Sequence, residues 1–79
     1  MPTTKPITAE RIEATEQELI ISVAGADVRI RWEDCSPKLA SASPQQRAEA
    51  ELSPGGYGIH WPAIDEDLAV GTLISANRA

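Results

Sequence analysis

The sequence predicts an α+β domain: a small antiparallel three-stranded meander followed by short helices and a short fourth strand. Three observations carry this. Leu19–Ala24 and Val28–Glu33 have strand character and are separated by a glycine-containing connection. Two Ser-Pro pairs, Ser36-Pro37 and Ser43-Pro44, read as helix starts. Beyond the breaker run Ser53-Pro54-Gly55-Gly56, the segment Tyr57–Trp61 reads as extended.

Taken in order, Ile7–Ala14 is weakly patterned. Ile7 and Ala9 share one parity, Ile12 and Ala14 the other, which admits a bulged strand or a short helix. Its charge density suits an edge strand. Thr15, Glu16 and Gln17 read as a turn. Leu19–Ala24 is apolar on both parities, as a central strand requires. Gly25, Ala26 and Asp27 form a tight connection. In Val28–Glu33 the alternation is clean: Val28, Ile30 and Trp32 point inward, Arg29, Arg31 and Glu33 outward.

Ser36 and Pro37 open a turn through Ala40. Ser43, with Gln46 three residues on, forms a capping box for a helix from Pro44 to about Leu52. In that helix Arg47 and Glu51 stand at i, i+4, with Ala40, Ala48 and Leu52 as the apolar contribution. Pro62 holds Trp61 extended. Asp65 is expected to cap a last helix, with Glu66 and Asp67 in its first turn and Leu68, Val70, Leu73 and Ile74 on its apolar face.

Seventy-nine residues predict a single domain over 1–79, with 1–6 and 76–79 loose. A chain of this size buries only about 60–65% of its unfolded surface, so a homodimer would help it. No run is long and apolar enough for a membrane span, and the first residues lack the apolar stretch of a secretory signal. Cys35 is the one cysteine, which excludes an intrachain disulfide and fits a reducing, cytoplasmic setting. Glu33 and Asp34 beside it would raise a thiol pKa, so Cys35 reads as apolar filler.

Seven basic against twelve acidic residues give a net charge of -5. Nucleic-acid binding draws on a basic footprint, and the densest basic feature here is only Arg29 with Arg31. An acidic surface suits a basic protein partner. The segment Gly58–Asp67 concentrates functional groups: the one histidine, a tryptophan and three consecutive acids. A metal site on His60 with Asp65 or Asp67 lacks a second histidine or usable thiolate. Acid–base catalysis by His60 lacks a nucleophile motif. The reading favoured is recognition: His60, Trp61, Asp65, Glu66 and Asp67 as partner-binding residues, with Arg29 and Arg31 as a second surface, and no catalytic residue, metal or cofactor.

The run Ser36–Leu73 resembles the small bacterial proteins of domain-of-unknown-function family 2442. The resemblance rests on Pro37, Leu39 and Ala40 after a hairpin, on the capped helix from Ser43-Pro44-Gln45-Gln46-Arg47, and on Gly58-Ile59-His60-Trp61-Pro62 followed by Ile64-Asp65-Glu66-Asp67-Leu68. One departure is the hairpin turn, Ala24-Gly25-Ala26-Asp27, where many members place Asp-Gly. The resemblance implies an α+β fold and no established enzymatic activity. Members are often encoded beside a small protein of family 4160, a pairing that implies an antitoxin-like role in which the acidic member masks a basic one. The expectation is therefore a non-enzymatic, acidic, protein-binding module. The alternative is a homo-oligomeric regulator contacting DNA, or a small ligand or metal, through the His60 segment.

Overall fold

A computed structural model describes residues 7–77. The chain forms a three-stranded antiparallel meander, three short helices, and then a second three-stranded antiparallel sheet closed by a last helix. The meander comprises β1 (Arg11–Ala14), β2 (Glu18–Val23) and β3 (Ala26–Arg31), in spatial order β1-β2-β3. The segment read as either strand or helix is thus an edge strand. Its change of parity is absorbed at Glu10, where the backbone bends.

β2 lies in the centre, as its two apolar parities require. Leu19 and Ile21 are buried in the core, while Ile20 is half-buried on the outer face. Thr15 closes the first turn: its hydroxyl donates to Glu18 O at 2.8 Å and accepts from Glu18 N at 3.0 Å. The second turn is tighter than the expected Gly25–Asp27 connection. It is a two-residue loop, Ala24-Gly25, with φ of 51° and 82°, and β3 starts at Ala26. Positive φ at both central residues matches the right-handed twist of the hairpin strands.

The alternation of β3 breaks at Trp32, which opens α1 (Trp32–Cys35). Its indole still turns inward and donates to Thr15 O at 2.9 Å. Both Ser-Pro starts hold. Ser36 accepts from Leu39 N at the head of α2 (Pro37–Ser41). Ser43 and Gln46 form the full capping box of α3 (Pro44–Ala48).

Two expectations fail here. The helix from Pro44 stops at Ala48 instead of reaching Leu52, because Glu51–Leu52 form β4 against β5 (Gly58–Trp61). Leu52, opposite the buried Ile59, gains more by pairing than by extending an exposed helix. Arg47 consequently does not pair with Glu51, and Ala40 and Ala48 are exposed. The last helix, α4 (Val70–Ala76), starts five residues later than its expected cap. Asp65 has left-handed φ and ψ of 52° and 51°, and Glu66–Ala69 form β6. Glu66 and Leu68 turn partly inward while Asp67 and Ala69 are exposed, so this stretch follows the two-residue period of a strand. Asp65, Glu66 and Asp67 are therefore not a helix N-terminus. The single fourth strand expected at Tyr57–Trp61 is β5, the centre of a sheet in the order β4-β5-β6.

The core joins both sheets. Leu19, Ile21, Ile30 and Trp32 come from the first half, and Leu39, Ile59, Trp61, Val70 and Leu73 from the rest. Trp32 and Trp61 meet edge to face, with ring centroids 6.3 Å apart and planes at 83°. Both tryptophans are buried. Gly56 completes the closure. Its carbonyl accepts from Ala9 N at 2.7 Å, its φ is +77°, and a Cβ there would stand 2.1 Å from Ala9 O. Only glycine permits that approach.

The expectation that residues 1–6 are loose lies outside the described residues, as do 78 and 79. Ala76 ends α4, and Asn77, its C-cap residue, donates from Nδ2 to Leu73 O at 2.8 Å. No helix among the described residues is long and apolar enough to cross a membrane.

Candidate functional site

The second sheet turns one face to the core and one to solvent, and period-two geometry sorts its side chains. Ile59 and Trp61 face inward. His60 lies on the outer face with Glu51 opposite it on β4 and Asp67 opposite it on β6. These three residues form a row across all three strands.

Hydrogen-bond phase explains why one pair in that row is closed. Val70 N donates to Tyr57 O at 2.9 Å, so the odd residues of β5 exchange their main-chain bonds with β6. His60 and Asp67 are therefore a non-hydrogen-bonded cross-strand pair, the kind whose side chains approach most closely. Asp67 Oδ1 lies 2.6 Å from His60 Nδ1. His60 has no other side-chain partner among the described residues, and its Nε2 is left to solvent or to a ligand.

Beside this pair is a shallow, mainly apolar groove of about 350 Å³, lined by Tyr57, Gly58, His60, Asp67 and Ala69. The small residues Gly58 and Ala69 keep its floor flat. Tyr57 stands beside it, 54% exposed, and is the exposed large hydrophobic residue of the chain's described part. Its ring lies against Gly55, where a Cβ would come within 2.8 Å of it. The turn before β5 thereby aims the tyrosine outward.

The segment singled out in the sequence is thus dispersed. His60 and Asp67 come together on the outer face. Trp61 is fully buried and donates from Nε1 to Arg47 O at 3.1 Å, so it anchors the strand and cannot be a surface contact. Glu66 is half-buried on the sheet's edge, its Oε1 accepting from Asp67 N at 3.2 Å. Asp65 is exposed in the turn, and its carbonyl accepts from Lys38 Nζ at 3.0 Å.

Arg29 and Arg31 lie on β3 in the other sheet, and both are ion-paired. Arg29 Nη1 is 2.7 Å from Glu18 Oε1, and Arg31 Nη1 is 3.3 Å from Glu33 Oε1. A phosphate backbone would have to compete with those carboxylates. Among the described residues no group of three or more His, Cys, Asp or Glu is placed to hold a metal. Cys35 is half-buried at the end of α1. Burial, then the charge of Asp34, push its thiol up to about 12 against a weaker opposing pull from Arg47, so at neutral pH it is a thiol and a poor nucleophile.

Three residues that matter were not found from the sequence. Tyr57 and Glu51 belong to the outer face, but only strand pairing reveals that. Arg47 holds the helical segment together: Nε donates to Leu39 O at 2.9 Å, Nη2 donates to Ala40 O at 3.0 Å, and the guanidinium lies 5.6 Å over the Trp32 ring.

Comparison with known proteins agrees with this fold. No curated protein matches the chain. A crystal structure of a protein of unknown function from Rhodospirillum rubrum is similar, with TM-score 0.79 and 23% identity over 90% of this chain and 88% of that one. A solution NMR structure of an uncharacterised protein from Chromobacterium violaceum has TM-score 0.71 and 24% identity over 91% of this chain and 68% of that one. At these identities the shared property is the fold. The family model described as protein of unknown function (DUF2442) matches residues 9–79, and this chain belongs to that family.

Proposed function

We propose that this domain is a non-enzymatic, cytoplasmic protein-binding module that masks a small basic protein in the manner of an antitoxin. The observation supporting it is the exposed Tyr57 beside the row Glu51–His60–Asp67 on an open sheet face. An aromatic ring with a polar tip, next to charged groups and a flat apolar floor, is the composition of an interface anchor. The net charge of -5 suits a cationic partner and would raise the encounter rate. Of the residues first chosen from the sequence, His60, Asp67 and the neighbouring Asp65 remain contact residues. Glu66 orients Asp67, and Trp61 supports the face from behind.

The test is a pull-down of tagged protein from its own cell extract at about 100 mM salt, where exposed charges still act over a Debye length of ~10 Å. The expected result is one small basic protein in near-equal amount. Tyr57→Ala should abolish its recovery, and Glu51→Gln with Asp67→Asn should weaken it and flatten its salt dependence. Recovery of the bait alone, or binding indifferent to Tyr57→Ala, would overturn the reading.

A further inference from the structure

We propose that the outer edge of β3 is a self-association surface, on which a second copy of this chain adds antiparallel to make one continuous six-stranded sheet. Main-chain phase identifies the free groups. Ser22 O accepts from Glu10 N at 2.8 Å and Glu18 O accepts from Thr15 N at 2.9 Å, so the even residues of β2 face the β1 side. Leu19, Ile21 and Val23 then face β3, where they pair with Ile30, Val28 and Ala26. The main-chain N–H and C=O of Asp27 and Arg29 therefore point away from β2. Among the described residues no segment pairs with them.

The other edges are guarded or short. On β6 the outward Asp67 N–H is already taken by the Glu66 carboxylate. β4 has two residues. β1 has four, and the chain just before it is joined to the second half through Ala9 and Gly56. β3 has six residues, and no strand among the described residues pairs with its outer edge. Charged side chains on an edge normally deter pairing with other chains. Here they are self-complementary.

A two-fold axis through Val28 sets Asp27 opposite the second copy's Arg29, and Arg29 opposite its Asp27. That register makes four main-chain hydrogen bonds from groups that have no main-chain partner among the described residues. It also sets half-buried Val28 against its own counterpart, extending the apolar inner face. A register centred on Arg29 would oppose two arginines and would need the Arg31 carbonyl, which sits at the start of α1. Arg29 retains donors for the new contact, since its pair with Glu18 engages Nη1 alone among the five guanidinium N–H groups.

The experiment is sedimentation velocity over a dilution series, with three sets of variants. The wild-type chain should show a monomer–dimer equilibrium below about 1 mM. Arg29→Pro removes an outward N–H, which an edge strand tolerates, together with the side chain that pairs with Glu18 and faces the second copy's Asp27, and should weaken dimerisation by at least about tenfold. Asp27→Arg or Arg29→Asp alone should weaken it similarly, and the double exchange should restore it. Val28→Cys on a Cys35→Ser background should form a disulfide-linked dimer on mild oxidation, because a non-hydrogen-bonded pair sets Cα atoms about 4.5 Å apart, within disulfide reach. If Arg29→Pro fails to fold, the charge exchange and the cross-link decide. A chain monomeric at every concentration would overturn the proposal. So would a dimer indifferent to the charge exchange, or a Val28→Cys chain that stays reduced and monomeric.

Discussion

Arg47→Ala should be among the most damaging replacements of any residue outside the apolar core. The side chain donates to two carbonyls at the end of α2 and covers the face of Trp32. Hydrogen bonds from a charged donor contribute roughly 1.5–3 kcal/mol when shielded. The bond to Ala40 O is exposed, so we assign about 1 kcal/mol to it and about 1.5 kcal/mol to the part-buried bond to Leu39 O. The contact over Trp32 adds about 0.5–1 kcal/mol. The sum is about 3 kcal/mol, which for a domain of this size corresponds to a fall in Tm of roughly 12–24 °C. Arg47→Lys keeps the charge but cannot fork to two carbonyls, so it should recover less than half of the loss. Arg47→Met keeps the hydrocarbon stem and separates packing from hydrogen bonding. Urea unfolding followed by tryptophan fluorescence reads all three. Stability of Arg47→Ala within about 0.5 kcal/mol of wild type, the range of an ordinary surface change, would refute this account.

Two other replacements follow from the geometry. Gly56→Ala would drive a Cβ into the Ala9 carbonyl at a positive φ, and the expected outcome is a chain with no cooperative melting transition by circular dichroism. The Cys35 thiol is raised from 9.0 to about 12. Because the folded state holds that proton more tightly than the unfolded one, the contribution is complete below about 9 and is lost as pH rises toward about 12. Cys35→Ala should therefore flatten the alkaline limb of stability against pH, and alkylation of native Cys35 near neutral pH should be slow until the chain is unfolded.

Features that depend on neighbouring residues were legible in the sequence. The β2–β3 hairpin follows from alternation and a glycine, and both Ser-Pro helix starts follow from side-chain oxygens reaching amides three residues on. β6 was illegible because Asp65-Glu66-Asp67 carries the chemistry of a helix start. Its strand identity comes from pairing with Ile59 and Trp61, which no local pattern encodes. β4 has only two residues and exists through β5 alone. At the candidate site, the pairing of His60 with a nearby acid was foreseeable from proximity in sequence. The burial of Trp61 and the exposure of Tyr57 were not, since both depend on which face of β5 meets the core. Arg47 acts on Trp32, fifteen positions earlier, and on helix ends that its own segment does not contain.

Both sheets are meanders in which every strand pairs with its neighbour in sequence. This ordering has a kinetic consequence. Each half can close through short loops, with little chain entropy lost before the first contacts form. The Ala9–Gly56 hydrogen bond and the Trp32–Trp61 contact span far longer stretches of chain, and they can form only when the halves dock. The expected slow step is therefore the docking of the two meanders, and stopped-flow indole emission should change after the far-ultraviolet circular dichroism signal of the strands.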